Sequence, residues 1–210
     1  MGEAVLHDYW RSSAAYRVRI VLNLKGIVWR SRPLDLVGGE HRGGDYHTLN
    51  PQELVPTLEI DGHVLTQSLA IIDYLDATHK HPPMVSSDPA ERARTLAQAL
   101  IVAADIHPVN NMRILNALRS DFGASEEQVR LWIQRWVATG FAALEELAPE
   151  AGLFGGTTPD LADVCLVPQM YNARRFEVDL TPYPRLVRID AAARALDPVA
   201  RAAPEAVKPN

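Results

Sequence analysis

The sequence predicts a small α/β domain followed by an all-helical domain. Three observations carry that prediction. Strand-like and helix-like segments alternate up to residue 79. The run Lys80-His81-Pro82-Pro83 then reads as a linker. Beyond it apolar residues recur at helical spacing and no convincing strand follows.

Residues 4–9 read as a short strand. Val18, Val21 and Leu22 share one face of a helix, and Gly26 supplies its stop. Val28 to Leu36 reads as a second strand, and Gly38-Gly39 through Gly43-Gly44 as a loop. Leu58 to Ile60 and His63 to Thr66 flank Asp61-Gly62, the strongest hairpin signal in the chain. Ser68 precedes Leu69, Ile71, Ile72 and Leu75, which predicts a helix with Ser68 as N-cap. The order strand-helix-strand, loop, strand-strand-helix predicts a mixed sheet with helices on its faces, as in thioredoxin-like domains.

In the second half, Asp88 to Leu118 and Glu126 to Leu147 carry helical periodicity. Asp160 and Asp163 form a variant capping box ahead of Val164, Leu166 and Val167. Tyr183 to Leu196 predicts a further helix, and the Pro/Ala-rich tail after Asp197 reads as loosely held. The expected domains are residues 1–80 and 88–210.

Composition narrows the class. With 210 residues, 47% of them hydrophobic, the chain can build a sizeable core. A net charge of −5 gives no pull toward nucleic acid. No apolar run approaches the ~20 residues of a membrane span. The N-terminus lacks a basic start followed by an apolar stretch, so no signal peptide is expected. Leu6 stands where an N-myristoylation signal at Met1-Gly2 needs Ser or Thr. The single cysteine, Cys165, excludes an internal disulfide and fits a cytoplasmic protein; between Val164 and Leu166 it reads as inert core. The seven histidines show no metal-ligand spacing, and His79 and His81 fall at the linker. A G-x-S-x-G elbow is absent, and the Gly-rich loop lacks the Lys-Ser or Lys-Thr of a P-loop.

Five stretches carry chemistry. Ser12 and Ser13, within Arg11-Ser12-Ser13-Ala14-Ala15-Tyr16-Arg17-Val18-Arg19-Ile20, stand at a strand-to-helix junction. A helix start offers unpaired N–H groups and a positive dipole end, which suit a carboxylate or thiolate. Val55-Pro56 precedes the hairpin, where a cis proline would leave Val55 able to pair with a peptide in β fashion. Gln67-Ser68 opens the next helix and suits a carboxylate. Asp105 to Leu115 interrupts an apolar helix with polar residues, and Pro108 predicts a kink. Leu166-Val167-Pro168-Gln169 and the run Asn172 to Pro184 complete the set.

Together these stretches resemble the zeta-class glutathione transferases, the family of maleylacetoacetate isomerase and maleylpyruvate isomerase. The resemblance spans nearly the whole chain. It implies the cytosolic glutathione transferase architecture: an α/β thioredoxin-like N-terminal domain plus an all-α C-terminal domain. It implies glutathione as cofactor, contacted by Ser12, Ser13, Ala14, His41, Val55, Gln67, Ser68, Asp105, His107, Asn111 and Arg113. It implies cis–trans isomerisation of a maleyl-type dicarboxylate, with Ser12, Ser13, Arg11 and Arg175 as the catalytic set. Arg175 matches the family's substrate-pocket arginine, and its neighbour Arg174 is expected to point away. It also implies a homodimer. One departure stands out: maleylacetoacetate isomerases typically carry Ser-Ser-Cys, and this chain has Ala14 in that place. Maleylpyruvate isomerases share the departure. The alternatives are a general glutathione S-transferase conjugating small electrophiles and a non-catalytic glutathione-binding module.

Overall fold

Strand β1, Ala4–Asp8, is buried at every position, which marks the middle of a sheet covered on both faces. Helix α1, Ser13–Leu24, follows it, then β2, Trp29–Pro33. A 3₁₀ turn at Glu40–Arg42 leads into α2, Gly44–Leu49. Strands β3, Thr57–Ile60, and β4, His63–Thr66, form a hairpin before α3, Ser68–Thr78. The computed structural model describes residues 3–209. The expectation drawn from Met1-Gly2 therefore lies outside the described residues.

The sheet order is β2-β1-β3-β4. β1 runs parallel to β2 and antiparallel to β3, and β3 runs antiparallel to β4. The hairpin turn is Asp61-Gly62, with φ of 52° and 79°. Two consecutive left-handed residues are what a tight hairpin turn requires, and Asp-Gly supplies them at little cost. Helix α1 packs against α3. Its buried residues include Ala15, Val18, Ile20, Val21 and Leu22, together with Arg17 and Arg19.

The described residues divide into two compact units: residues up to 84 together with 195 onward, and residues 85–194. In the second unit Asp88 caps α4, Pro89–Leu100, by accepting from the Ala90 and Glu91 N–H groups. A π-helical segment, Ile101–Ile106, and a short α5, His107–Val109, follow. Helices α6, Met112–Ser120, α7, Glu126–Leu147, α8, Leu161–Arg175, and α9, Pro184–Arg194, complete this unit. Gly140 of α7 sits so close to the π segment that a Cβ there would lie 2.4 Å from Ile106 Cδ1. Cys165 is fully buried in α8, as expected. The capping box of α8 is present in both directions.

Three expectations need correction. The Gly-rich stretch is not all loop, because α2 begins at Gly44. Ser68 is not the N-cap of α3; Gln67 is, with φ of 65° and no side-chain capping bond. The helical periodicity from Asp88 to Leu118 is carried by α4, the π segment, α5 and α6, with a stop at Asn110. Asn110 donates to the Ile106 carbonyl there, and Asn111 caps the restart by accepting from Arg113 N–H. Pro108 lies just after the π segment, with the backbone helical through Ile106 and His107.

The tail, finally, is not loose. It forms α10, Asp197–Ala200, and α11, Pro204–Val207, and Val199 and Ala202 are buried. Arg19 donates to the Ala202 carbonyl and Asn23 to the Pro198 carbonyl. Next to the Lys80–Pro83 run, Lys25 Nζ donates to the His79 and Pro82 carbonyls and to Asp76.

Candidate active site

In the first unit, α1 begins where the chain turns out of β1. Ser12 N–H donates to the Tyr9 carbonyl at 2.8 Å. Ser12 Oγ accepts from Ala15 N–H at 3.2 Å and caps the helix. Capping uses one lone pair and leaves the hydroxyl hydrogen able to donate to an anion. Ser13 is the first helical residue and is buried, and Ala14 is half-buried beside it. Arg11 is held at this entrance. Its Nε and Nη2 donate to the Tyr9 hydroxyl, and its guanidinium lies 4.8 Å from the centre of the Trp10 ring. Buried Arg19 fixes the same turn by pairing with Asp8 at 2.8 Å and donating to the Trp10 carbonyl at 3.0 Å.

The loop before β3 presents Val55. Asn50 Nδ2 and the Tyr46 hydroxyl both donate to the Leu54 carbonyl, at 2.7 and 2.6 Å. Tyr46 also meets Thr57 Oγ1 at 2.8 Å. The Val55–Pro56 peptide bond is cis. His41, on the 3₁₀ turn, is half-buried. Burial and then Arg42 hold its pKa below the usual histidine value, while Glu53 of the Val55 loop acts the other way.

Gln67 Nε2 donates to Gln52 Oε1 at 2.6 Å and joins this loop to the start of α3. Buried Ser68 is joined to α1, where Arg17 Nη1 donates to Ser68 Oγ at 3.4 Å. So the predicted residues Ser12, Ser13, Val55, Gln67 and Ser68 lie on elements linked to one another. Sequence reasoning passed over Arg17. Its signal was present: a cation four residues after Ser13, inside an otherwise apolar helix.

In the second unit, Asp105 is exposed on the π segment, a helix form common at functional sites. His107 opens α5 and is half-buried. The Asn111 side-chain oxygen is spent on capping α6, and Arg113 is exposed. Arg175, in the last turn of α8, is exposed and lies 4.8 Å from the centre of the Phe176 ring. Arg174 is not an idle neighbour. It pairs with Asp190 of α9 at 2.6 Å. That partner comes from packing that a sequence pattern does not show.

A thioredoxin-like sheet with anion-suited starts at α1 and α3 defines the glutathione transferase class. The family model for the N-terminal domain of glutathione S-transferase matches residues 11–78. Over 98% of its length the chain is 50% identical to a probable maleylacetoacetate isomerase of Vibrio cholerae, 97% of which is covered. A solved holo structure of maleyl pyruvate isomerase, a bacterial zeta-class enzyme, superposes with a TM-score of 0.94 at 45% identity, covering 97% of this chain and 98% of that one. A maleylacetoacetate isomerase of Methylobacterium extorquens, solved with malonate and glutathione bound, gives a TM-score of 0.91 at 39% identity, with 96% and 97% covered. The chain belongs to the zeta-class glutathione transferase family of maleylacetoacetate and maleylpyruvate isomerases.

Proposed function

We propose that the protein is a glutathione-dependent cis–trans isomerase of a maleyl-type dicarboxylate, maleylpyruvate or maleylacetoacetate, in the breakdown of aromatic compounds. The observation that carries this reading is the near full-length likeness to proteins named for that isomerisation, in a chain that keeps both anion-suited helix starts. Conjugation of apolar electrophiles has no comparable support.

The residues present fit glutathione. An extended peptide pairs with the main chain of Val55, and a carboxylate meets the uncapped start of α3 at Gln67 and Ser68. Glutathione supplies a thiolate that adds reversibly to one alkene carbon, so that the former double bond can rotate. The start of α1 lowers the thiol pKa from about 8.5 through the Ser12 and Ser13 hydroxyls and the first N–H groups. Ala14 carries no thiol, so the protein supplies no second sulfur there. His41, Asp105, His107, Asn111 and Arg113 complete the cofactor-facing set in this proposal.

A dianionic substrate calls for cations. Arg11, held by the Tyr9 hydroxyl and the Trp10 ring, is preorganised to meet a carboxylate. Arg175 is assigned to a substrate carboxylate and to the negative charge that develops on the conjugated carbonyl. A cytoplasmic homodimer belongs to the same proposal. Among the described residues, no helix is long and apolar enough to cross a membrane.

The test follows absorbance of maleylpyruvate and of maleylacetoacetate, each with and without glutathione. Trans product forming only when glutathione is present supports the reading. Equal rates without it, or no turnover of either compound, reject it.

A further inference from the structure

Arg17 is 2% exposed in the middle of α1. A guanidinium stays charged at any working pH, and taking that charge out of water is costly. Arg17 reaches the start of α3, where Nη1 lies 3.4 Å from Ser68 Oγ.

A guanidinium only donates, so Ser68 Oγ is the acceptor in this contact. The hydroxyl hydrogen of Ser68 must then point elsewhere. Ser68 is the first residue of α3, whose N-terminus has no side-chain cap. The Gln67 side chain donates instead to Gln52. The first N–H groups of α3 and the Ser68 hydroxyl thus remain as donors at one place. The buried charge of Arg17 adds to the positive end of the helix dipole in a setting where water screens little.

We propose that Arg17 is a positioning residue for the glutathione γ-glutamyl carboxylate. It acts through Ser68, by fixing that hydroxyl as a donor toward the anion and by placing a cation behind it. This rests on the glutathione reading above and extends it to a residue that the family resemblance did not single out. Arg17 touches no reacting atom in this scheme. Its effect belongs to cofactor affinity and not to the isomerisation step.

The experiment measures calorimetric affinity for two ligands. One is glutathione. The other is 4-aminobutyryl-cysteinyl-glycine, which differs only in lacking the γ-glutamyl carboxylate. Arg17→Met keeps the apolar stem and removes the charge. It is expected to weaken glutathione about tenfold and leave the second ligand within about twofold. Ser68→Ala is expected to weaken glutathione as well, and adding Arg17→Met to it should cost less than in the parent protein. Arg17→Lys should recover part of the loss.

The outcomes separate cleanly. If Ser68→Ala leaves glutathione affinity unchanged, the carboxylate seat itself is misassigned. If Ser68→Ala weakens binding and Arg17→Met does not, the seat stands and the role of Arg17 is overturned. If Arg17→Met weakens both ligands equally, Arg17 is a packing strut and the proposal is wrong. Should Arg17→Met fail to fold, Arg17→Lys carries the test. A loss confined to glutathione supports the proposal, and equal losses or no loss overturn it.

Discussion

Arg174 places Nη2 2.6 Å from Oδ2 of Asp190, a carboxylate with no exposed surface. Burial pushes the Asp190 carboxyl up, and Arg174 and then Arg194 pull it back toward the charged form. Arg194 is the more distant partner at 3.8 Å. Two consecutive arginines of α8 therefore differ in kind. Arg174 holds α8 to α9, and Arg175 rests over the Phe176 ring.

Arg174→Ala should destabilise the fold. Removing one partner of a buried pair strands the other, at a cost of ~3–5 kcal/mol in the full case. Arg174 is partly solvated and Arg194 stays nearby, so about 1–3 kcal/mol is expected. Urea unfolding reads this. An unchanged midpoint would remove Arg174 from the structural account.

Arg175→Ala should lower kcat/KM by at least about tenfold, roughly 1.4 kcal/mol. Arg11→Ala should act in the same direction, since its guanidinium is held at the entrance to α1. Glutathione affinity should change little in either variant. Kinetics with varied substrate and varied glutathione make the distinction. A loss confined to glutathione binding would contradict the substrate assignment.

Asp163 gives a pH dependence with a definite sign. Burial and then Asp160 push its carboxyl up from 3.8 to about 7, against the N–H groups of Gly155, Asp160 and Phe154. A raised folded-state pKa means that the folded chain keeps a proton that the unfolded chain has released. The stabilisation is full below about pH 4 and is lost as pH rises to about 7. Asp163→Asn removes the titration. It should also lower stability, because one carboxamide oxygen replaces two that accept three N–H groups. The gap in unfolding free energy between parent and variant should narrow from pH 4.5 to pH 7. A widening gap would mean that the folded state prefers the charged form.

Gly140→Ala should cost about 1–3 kcal/mol by overpacking. The added methyl would lie 2.4 Å from Ile106 Cδ1 and 2.5 Å from Ile106 Cγ1. Ile106→Ala removes both atoms, so the double variant should be more stable than the sum of the single losses predicts. Additive losses would show that α7 and the π segment are not in steric contact at Gly140.

Local chemistry made part of this fold legible. Asp61-Gly62 announces its turn through left-handed backbone, and Asp160 with Asp163 announces a helix start. What stayed hidden depends on partners distant in sequence or on weak patterns. The α2 sequence, Gly-Asp-Tyr-His-Thr-Leu, has no apolar repeat to betray a helix. A π segment adds residues to a turn without ending the apolar run, so the break after Leu100 leaves little trace. The tail reads as loose by composition, yet Arg19, more than 180 positions earlier, holds Ala202. The same holds for the site. Ser12, Ser13, Gln67 and Ser68 were visible as helix starts, whereas Arg17 became visible only through its contact with Ser68.

Counting glutathione while product forms separates isomerisation from conjugation. A thiol titration should run beside the absorbance change over many turnovers of maleylpyruvate or maleylacetoacetate. Free thiol should stay constant throughout, with product far exceeding the glutathione supplied and no turnover in its absence. Thiol falling one for one with substrate would identify a conjugating transferase and contradict the isomerase reading.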